Sequence, residues 1–331
     1  MMNNNWNVSG NEWAVEMLRQ QINHGTIRHA YLFTGPSGVG RRTLALRLAS
    51  ALNCTQPLAP GIPCGGTCRD CKQIEAMQHP DLTIIQAESE GGTLKVDQVR
   101  EARRTLMFKP YQSRYRVTVF LRFQEANDSA SNALLKILEE APSYVVLVLT
   151  ADHPEQLLPT IVSRCEVLRL HPLQLEQVES VLAGLGAQQD QARLVAHISG
   201  GRLGYAIRLW NDPSALGFRA ERLHDVQVLT AAGRADKFSY AEKLARDKDA
   251  MRNVLLVWLS YWRDVLLCAG GASAPLTNID RVKEVESMAS HLPFSEVRRM
   301  VAGLENSLSQ LESNVNPRLL AEVLLLDWPK I

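Results

Sequence analysis

The sequence predicts an α/β domain with a parallel sheet, followed by helical domains. Over the first 170 residues, short apolar runs alternate with stretches of helical periodicity, as in strands joined by crossover helices. A glycine-rich loop lies between the first apolar run and the next helical stretch. Beyond residue 171 the pattern is helical only. We therefore expect an α/β domain at residues 1–170, a small helical domain at 171–211 and a larger all-helical domain at 212–331.

The predicted elements follow one another in a regular order. Apolar residues at three- and four-residue steps predict helices at residues 8–25, 44–53 and 96–107, and Asp128 or Ser129 is expected to cap another that ends before Pro142. Apolar runs predict strands at 30–33, 81–85, 116–121, 144–149 and 167–170, with Thr150 ending the fourth strand. Further helices are expected at 173–185 and 192–198.

Composition indicates a globular chain without a strong charge bias. Of its 331 residues 46% are hydrophobic, and 36 basic side chains balance 35 acidic ones for a net charge of +1. This argues against a strongly basic nucleic-acid binder and leaves local patches open. Residues 1–6 lack the basic and apolar regions of a signal peptide, and Arg263 and Asp264 interrupt the apolar run at 254–268. We expect a cytoplasmic protein without a membrane segment.

The loop at residues 34–43 has the strand–loop–helix context of a phosphate-binding loop. Gly35 and Gly40 allow the backbone to wrap phosphates, with amide groups directed at them. Compared with the pattern G-x-x-x-x-G-K-[ST], however, Arg41 replaces the lysine, Arg42 replaces the Mg²⁺-ligating hydroxyl, and Thr43 comes one residue late. Two cations in such a loop can still hold a nucleotide passively, so nucleotide binding stays open while hydrolysis is not expected.

The third predicted strand also lacks the acids of a working ATPase. There, an acid at the strand end should hold Mg²⁺, and a following glutamate should orient the attacking water. Leu121 and Arg122 occupy these positions, and Glu125 lies too far beyond the strand end to replace them. This is a second reason to expect no ATP hydrolysis.

Four of the six cysteines are clustered in a turn-rich insert at residues 54–71, which contains Cys54, Cys64, Cys68 and Cys71. Four thiolates suit a tetrahedral Zn²⁺, and a site filled by protein ligands is structural rather than catalytic. The alternative is four unrelated thiols. The isolated Cys165 and Cys268 are expected to be small core residues.

Several segments together resemble one family. These are residues 28–35 with the loop that follows, the four-cysteine insert, residues 132–142 and the triplet Ser163, Arg164, Cys165. Their order is similar to that of bacterial clamp-loader subunits, the AAA+ proteins of the DNA polymerase III holoenzyme. The resemblance implies an AAA+ P-loop domain at 1–170, a helical lid at 171–211 and a helical collar at 212–331. One departure is that three residues separate Cys64 from Cys68, where the family usually has two.

Within this family the chain looks like the delta prime type, which keeps the fold but typically loses ATPase activity. The substitutions at Arg41, Arg42, Leu121 and Arg122 favour it, and Gly204 stands where the small domain should carry an arginine, with Arg202 as a neighbour. Thr150 matches the family's polar sensor position.

The chain does carry the arginine that the family has in the Ser-Arg-Cys triplet, at Arg164. In these rings the arginine of the Ser-Arg-Cys triplet reaches the neighbour's ATP site as an arginine finger and stabilises charge on the transferred phosphate. An ordinary salt-bridge partner is the alternative role.

The resemblance also implies partners: the tau or gamma and delta subunits, and, through the assembled ring, the sliding clamp and primed DNA. Two other functions compete. One is an active clamp-loader ATPase of the tau and gamma type, which should have the lysine and the acidic pair. The other is a zinc-containing nucleic-acid adaptor, which predicts DNA binding by the isolated chain with a steep salt dependence.

Overall fold

A five-stranded parallel sheet forms the centre of the amino-terminal part of the computed structural model, which describes residues 6–89, 91–313 and 315–329. The strands are β1 Ala30–Thr34, β2 Leu82–Ile85, β3 Arg116–Phe120, β4 Val145–Ala151 and β5 Glu166–Arg169. Their spatial order is β2-β3-β4-β1-β5. The predicted α/β fold class is confirmed. Residues 1–5, on which the expected absence of a signal peptide largely depends, lie outside the described residues.

The chain separates into two compact units. The first comprises Met1–Gln174 with Gly201–Tyr205, and the second comprises Leu175–Gly200 with Ala206–Ile331. The predicted division into three domains at residues 170 and 211 stays a prediction.

Helices cover both faces of the sheet. They are α1 Glu12–His24, α2 Arg41–Asn53, α3 Arg69–Glu75, α4 Val96–Leu106, α5 Asp128–Glu140 and α6 Pro159–Val162. Alternate residues of each strand point to opposite faces, so each face has its own core. Phe33, Val119 and Val148 pack with α1 and α2 in one buried cluster, whereas Leu32 and Leu147 pack with α4 and α5 in another.

Two local predictions were wrong. The cap of α5 is Asn127, not Asp128 or Ser129: its backbone is extended (φ −72°, ψ 167°), and its side chain accepts a hydrogen bond from the Ala130 amide at 2.8 Å. Thr150 does not end the fourth strand, because β4 continues to Ala151, which pairs with Thr34 of β1. This pairing places the ends of β1 and β4 side by side at the carboxyl edge of the sheet.

The described residues of the second unit form helices joined by loops, with no strand among them. Its core contains Trp258, Trp262 and Trp328, and the rings of Trp258 and Trp328 meet edge to face at 5.0 Å. Among the residues that the structure describes, no helix has both the length and the apolarity that crossing a membrane requires. The remaining helices are α7 Leu175–Gly184, α8 Gln189–Ser199, α9 Leu203–Asn211, whose first turn belongs to the first unit, α10 Pro213–Ala231, α11 Arg234–Leu244, α12 Lys248–Ala269, α13 Val282–His291, α14 Phe294–Glu312 and α15 Pro317–Leu326.

Candidate functional site

The glycine loop connects β1 to α2 at the carboxyl edge of the sheet. Gly35 has φ 136°, and a Cβ atom there would lie 2.4 Å from the carbonyl oxygen of Leu170. Gly40 has φ 107° and precedes the first residue of α2. Both positions therefore require glycine. The Gly35 amide donates to the backbone oxygen of Asp152 at 3.0 Å, which fixes the loop to the residue after β4.

The two loop arginines have opposite environments. Arg41 is 7% exposed, and its Nη2 lies 2.6 Å from Oδ1 of Asp152, while its Nη1 is buried without a hydrogen-bond partner. Arg42 and Thr43 are exposed on the first turn of α2. The residue at the lysine position thus points into the protein and is neutralised there.

The residues that follow β3 bond to one another and to Thr150 near the end of β4. Leu121 is buried, and Arg122 Nε lies 2.8 Å from Oε1 of Glu125. The hydroxyl of Thr150 accepts a hydrogen bond from the Arg122 amide at 2.9 Å. Glu125 and Asp152 are each paired with an arginine through one oxygen, while Oε2 of Glu125 is buried without a hydrogen-bond partner.

Gly204, near the start of α9, contacts the glycine loop. Its amide donates to the Gly38 carbonyl oxygen at 2.8 Å, and a Cβ atom on Gly204 would approach that oxygen to 2.9 Å. The neighbouring Arg202 guanidinium lies 4.7 Å from the centre of the Tyr205 ring. The loop is thus in backbone contact with the segment that should carry an arginine.

Arg164 lies on the surface just after α6. Its Nη2 is 2.7 Å from Oε1 of Glu139, and its Nη1 donates to the Thr160 carbonyl oxygen at 2.9 Å. Ser163 is exposed beside it, whereas Cys165 is half-buried and burial raises the pKa of its thiol to about 12. The raised pKa keeps the thiol protonated at neutral pH, and the exposed guanidinium is the charged group of the triplet.

The four insert cysteines come together, as predicted. Their sulfur atoms all lie within 4.8 Å of one another, and all four are free thiols. The Cys68 amide donates to the Cys64 sulfur at 3.3 Å, and the Cys71 amide donates to the Cys68 sulfur at 3.4 Å. Burial alone would raise the pKa of Cys64, but hydrogen bonds from the Thr67 side chain and the Cys68 amide lower it to about 5. Against the effect of burial, hydrogen bonds likewise lower the pKa of Cys68, whereas burial raises the pKa of Cys54 and Cys71. The compact set of four thiols is compatible with a tetrahedral divalent metal ion.

Sequence reasoning missed the partners of Arg41 and Arg164, which are Asp152 and Glu139. A signal for Asp152 existed, since it follows β4, and β4 pairs with the strand before the glycine loop. Glu139 lies near the end of α5 and had no such signal.

Comparison of the sequence with known proteins identifies the family of this chain. Two sequence models of that family match the chain: "DNA polymerase III, delta subunit" over residues 10–174, and "DNA polymerase III, delta subunit, C terminal" over residues 217–330. The chain belongs to the DNA polymerase III delta-subunit family. The predicted membership of the clamp-loader subunits, with the delta prime type favoured, is confirmed.

Relatives of the subunit include both types. The DNA polymerase III subunit delta' of Bacillus subtilis is 29% identical over 95% of this chain and 94% of its own length. The tau subunit of Escherichia coli is 33% identical, over 68% of this chain and 34% of its own length. The match to delta' thus covers nearly the whole of both proteins, whereas the chain spans about a third of the tau relative.

A solved structure supports the fold. A gamma subunit-related protein of Thermotoga maritima superimposes with a TM-score of 0.51 at 16% identity, covering 94% of this chain and 97% of that one.

Proposed function

We propose that this clamp-loader subunit of the delta prime type hydrolyses no ATP. The observation that carries the proposal is the inward Arg41, neutralised by Asp152 at 2.6 Å where a lysine should meet phosphates. Leu121 and Arg122, in place of the two acids, remove Mg²⁺ ligation and the orientation of water. The inward arginine also disfavours nucleotide binding, because the loop then offers its backbone and the exposed Arg42 alone.

Arg164 supplies an arginine finger in trans. Its exposure after α6 supports this role, and a planar, permanently charged guanidinium suits a transferring phosphate. Ser163 and Cys165 flank it in the same triplet. The alternative, a salt-bridge partner for Glu139 alone, predicts no effect of Arg164 on a neighbour's hydrolysis.

The partners follow from the family. We propose a hetero-oligomeric ring with tau or gamma and delta subunits in the cytoplasm, which loads the sliding clamp onto primed DNA. In this proposal the chain has three domains, and the collar joins the subunits of the ring. The domains are the α/β module at 1–170, the lid at 171–211 and the collar at 212–331.

The four cysteines hold a structural Zn²⁺. Their sulfur atoms lie within 4.8 Å of one another, which supports this assignment, and all four coordination positions are then filled by protein. Replacing Cys68 or Cys71 with serine should release the metal, which metal analysis of the purified full chain would detect. Retention of stoichiometric zinc by both variants would contradict the ligand set.

ATP hydrolysis tests the main proposal. Turnover is measured with DNA and clamp present, first for the purified chain alone and then for its mixture with cognate tau or gamma and delta subunits. We expect background turnover alone and DNA-stimulated turnover in the mixture. Robust turnover by the chain alone would favour an active ATPase of the tau and gamma type. Salt-sensitive DNA binding by the chain alone would favour the nucleic-acid adaptor.

A further inference from the structure

A buried carboxylate connects the cysteine insert to a distant surface segment. Asp70 lies between Cys68 and Cys71 on α3 and is 7% exposed. Its Oδ2 accepts a hydrogen bond from the Thr55 hydroxyl at 2.8 Å, and its Oδ1 accepts one from Gln112 Nε2 at 3.1 Å. Because Thr55 follows Cys54, Asp70 holds both ends of the insert and also reaches a segment 42 positions away in the sequence.

His79 adds a second buried link. Its side chain is 0% exposed, and its Nδ1 accepts a hydrogen bond from the Asp81 amide at 3.0 Å. The other ring nitrogen, Nε2, lies 3.4 Å from Asp70 Oδ1 and 3.2 Å from both the Ser113 hydroxyl and Gln112 Nε2. The imidazole thus bridges Asp70 and the same surface segment.

Asp81 fixes the backbone of that segment. It is 0% exposed, and its carboxylate accepts the amides of Tyr111 at 2.6 Å, Gln112 at 2.9 Å and Ser113 at 3.0 Å. Burial alone would raise the pKa of Asp81, but these amides and the Arg116 guanidinium lower it. The segment nevertheless displays Tyr111 with 82% of its surface exposed, so a rigid backbone presents a free aromatic side chain.

We propose that metal at the four cysteines orders segment 111–113 through Asp70. The proposal rests on the zinc site proposed above. Cys68 caps α3 and Cys71 lies in its first turn, so ligation of both fixes the helix that carries Asp70. Without metal, the thiols lose their common ligand and Asp70 loses the constraint that keeps it against Gln112 and His79. The cysteine insert thereby controls a segment that it does not contain.

Amide hydrogen exchange of the full chain tests the coupling. We compare zinc-loaded protein with protein treated with a zinc chelator. Exchange at Tyr111, Gln112 and Ser113 should become about five- to ten-fold faster after metal removal, as expected when one or two hydrogen bonds are weakened. Amides of β4 serve as the internal reference, because the network of Asp70, His79 and Asp81 does not contact that strand.

Two variants separate coupling from general loosening. Gln112 is exposed and contacts no cysteine, so Gln112→Ala should fold, keep its zinc and exchange rapidly at 111–113 whether or not metal is present. Lys72→Ala changes an exposed residue of the same helix and should keep the wild-type dependence on zinc.

The results distinguish the coupling from the metal site itself. Stoichiometric zinc with exchange at 111–113 that is unchanged by chelation would overturn the coupling and leave the zinc site standing. A chain that binds no zinc would overturn both. Equal acceleration at 111–113 and in β4 would show general loosening and would also overturn the coupling.

Discussion

Arg41 and Arg164 carry the same guanidinium group, but Arg41 is buried and Arg164 is exposed. Arg41 lies in the glycine loop, is 7% exposed and is neutralised by Asp152. Arg164 is exposed, and its partner Glu139 is exposed as well. A guanidinium that is neutralised inside its own chain has little charge to offer a phosphate, whereas an exposed one can exchange its carboxylate for a more highly charged group. This difference in burial supports our proposal that Arg164, and not Arg41, serves a phosphate in a neighbouring subunit.

The largest expected effect is on ATP hydrolysis by the assembled ring after substitution of Arg164. Arg164→Ala should lower hydrolysis at the one neighbouring site that it serves by about 10²-fold or more, because the transition state loses a stabilising cation. Unfolding free energy should change by less than about 0.5 kcal/mol, as for most surface substitutions. Single-turnover hydrolysis by the reconstituted ring and urea unfolding of the chain measure the two quantities. Unchanged hydrolysis would contradict the proposal that Arg164 acts as an arginine finger in trans.

A matched pair of partner substitutions should separate the arginines by stability. Asp152→Ala leaves the buried Arg41 charge without its carboxylate and should lower the free energy of unfolding by about 1–3 kcal/mol. Glu139→Ala removes the partner of the exposed Arg164 and should cost less than about 1 kcal/mol. Equal costs in chemical denaturation would mean that burial of Arg41 does not distinguish the two sites.

A smaller effect is expected at Arg116, a second arginine paired with a buried carboxylate, and it can be tested through the pH dependence of stability. Its partner Asp81 has a lowered pKa, so the charged carboxylate contributes stability above the unfolded-state value of about 3.9, and this contribution is lost as pH falls through the lower folded-state pKa. Asp81→Asn should therefore cost about 1–2 kcal/mol near pH 7, and the difference from wild type should shrink below about pH 4. A constant difference across this range of urea unfolding experiments would refute the charge argument.

The smallest effect is expected from rebuilding the loop motif. The double change Arg41→Lys with Arg42→Thr restores the lysine and the hydroxyl, but Leu121 and Arg122 still supply no metal ligand. Hydrolysis by the purified chain alone should stay at background. Measurable turnover by this variant, with an unmodified chain as the control, would show that the missing acids are dispensable.

Much of the fold could be predicted from the sequence because local patterns determine it. The apolar runs correspond to the five strands, and the four cysteines are close enough in the chain for their clustering to be expected. Element ends were less predictable: Asn127 caps α5 because of its backbone conformation, which composition does not reveal.

The inward direction of Arg41 could not be predicted, because it depends on a residue more than one hundred positions away. Asp152 reaches the loop only through the pairing of β4 with β1. The same limit applies to Asp70, His79 and Asp81, whose network forms when the insert packs against the segment before β3. Motif spacing identifies which residues a site contains, whereas tertiary pairing decides which way they point.

The contact between Gly204 and Gly38 has a consequence for how such a subunit evolves. An arginine returned to position 204 would bring a Cβ atom to 2.9 Å from the Gly38 oxygen, so the loop would have to move before that side chain became useful. Under our proposal, restoring the lysine or the acids singly also gains nothing. Hydrolysis is then out of reach of any single substitution, and single changes can alter only the surfaces that this chain offers its neighbours.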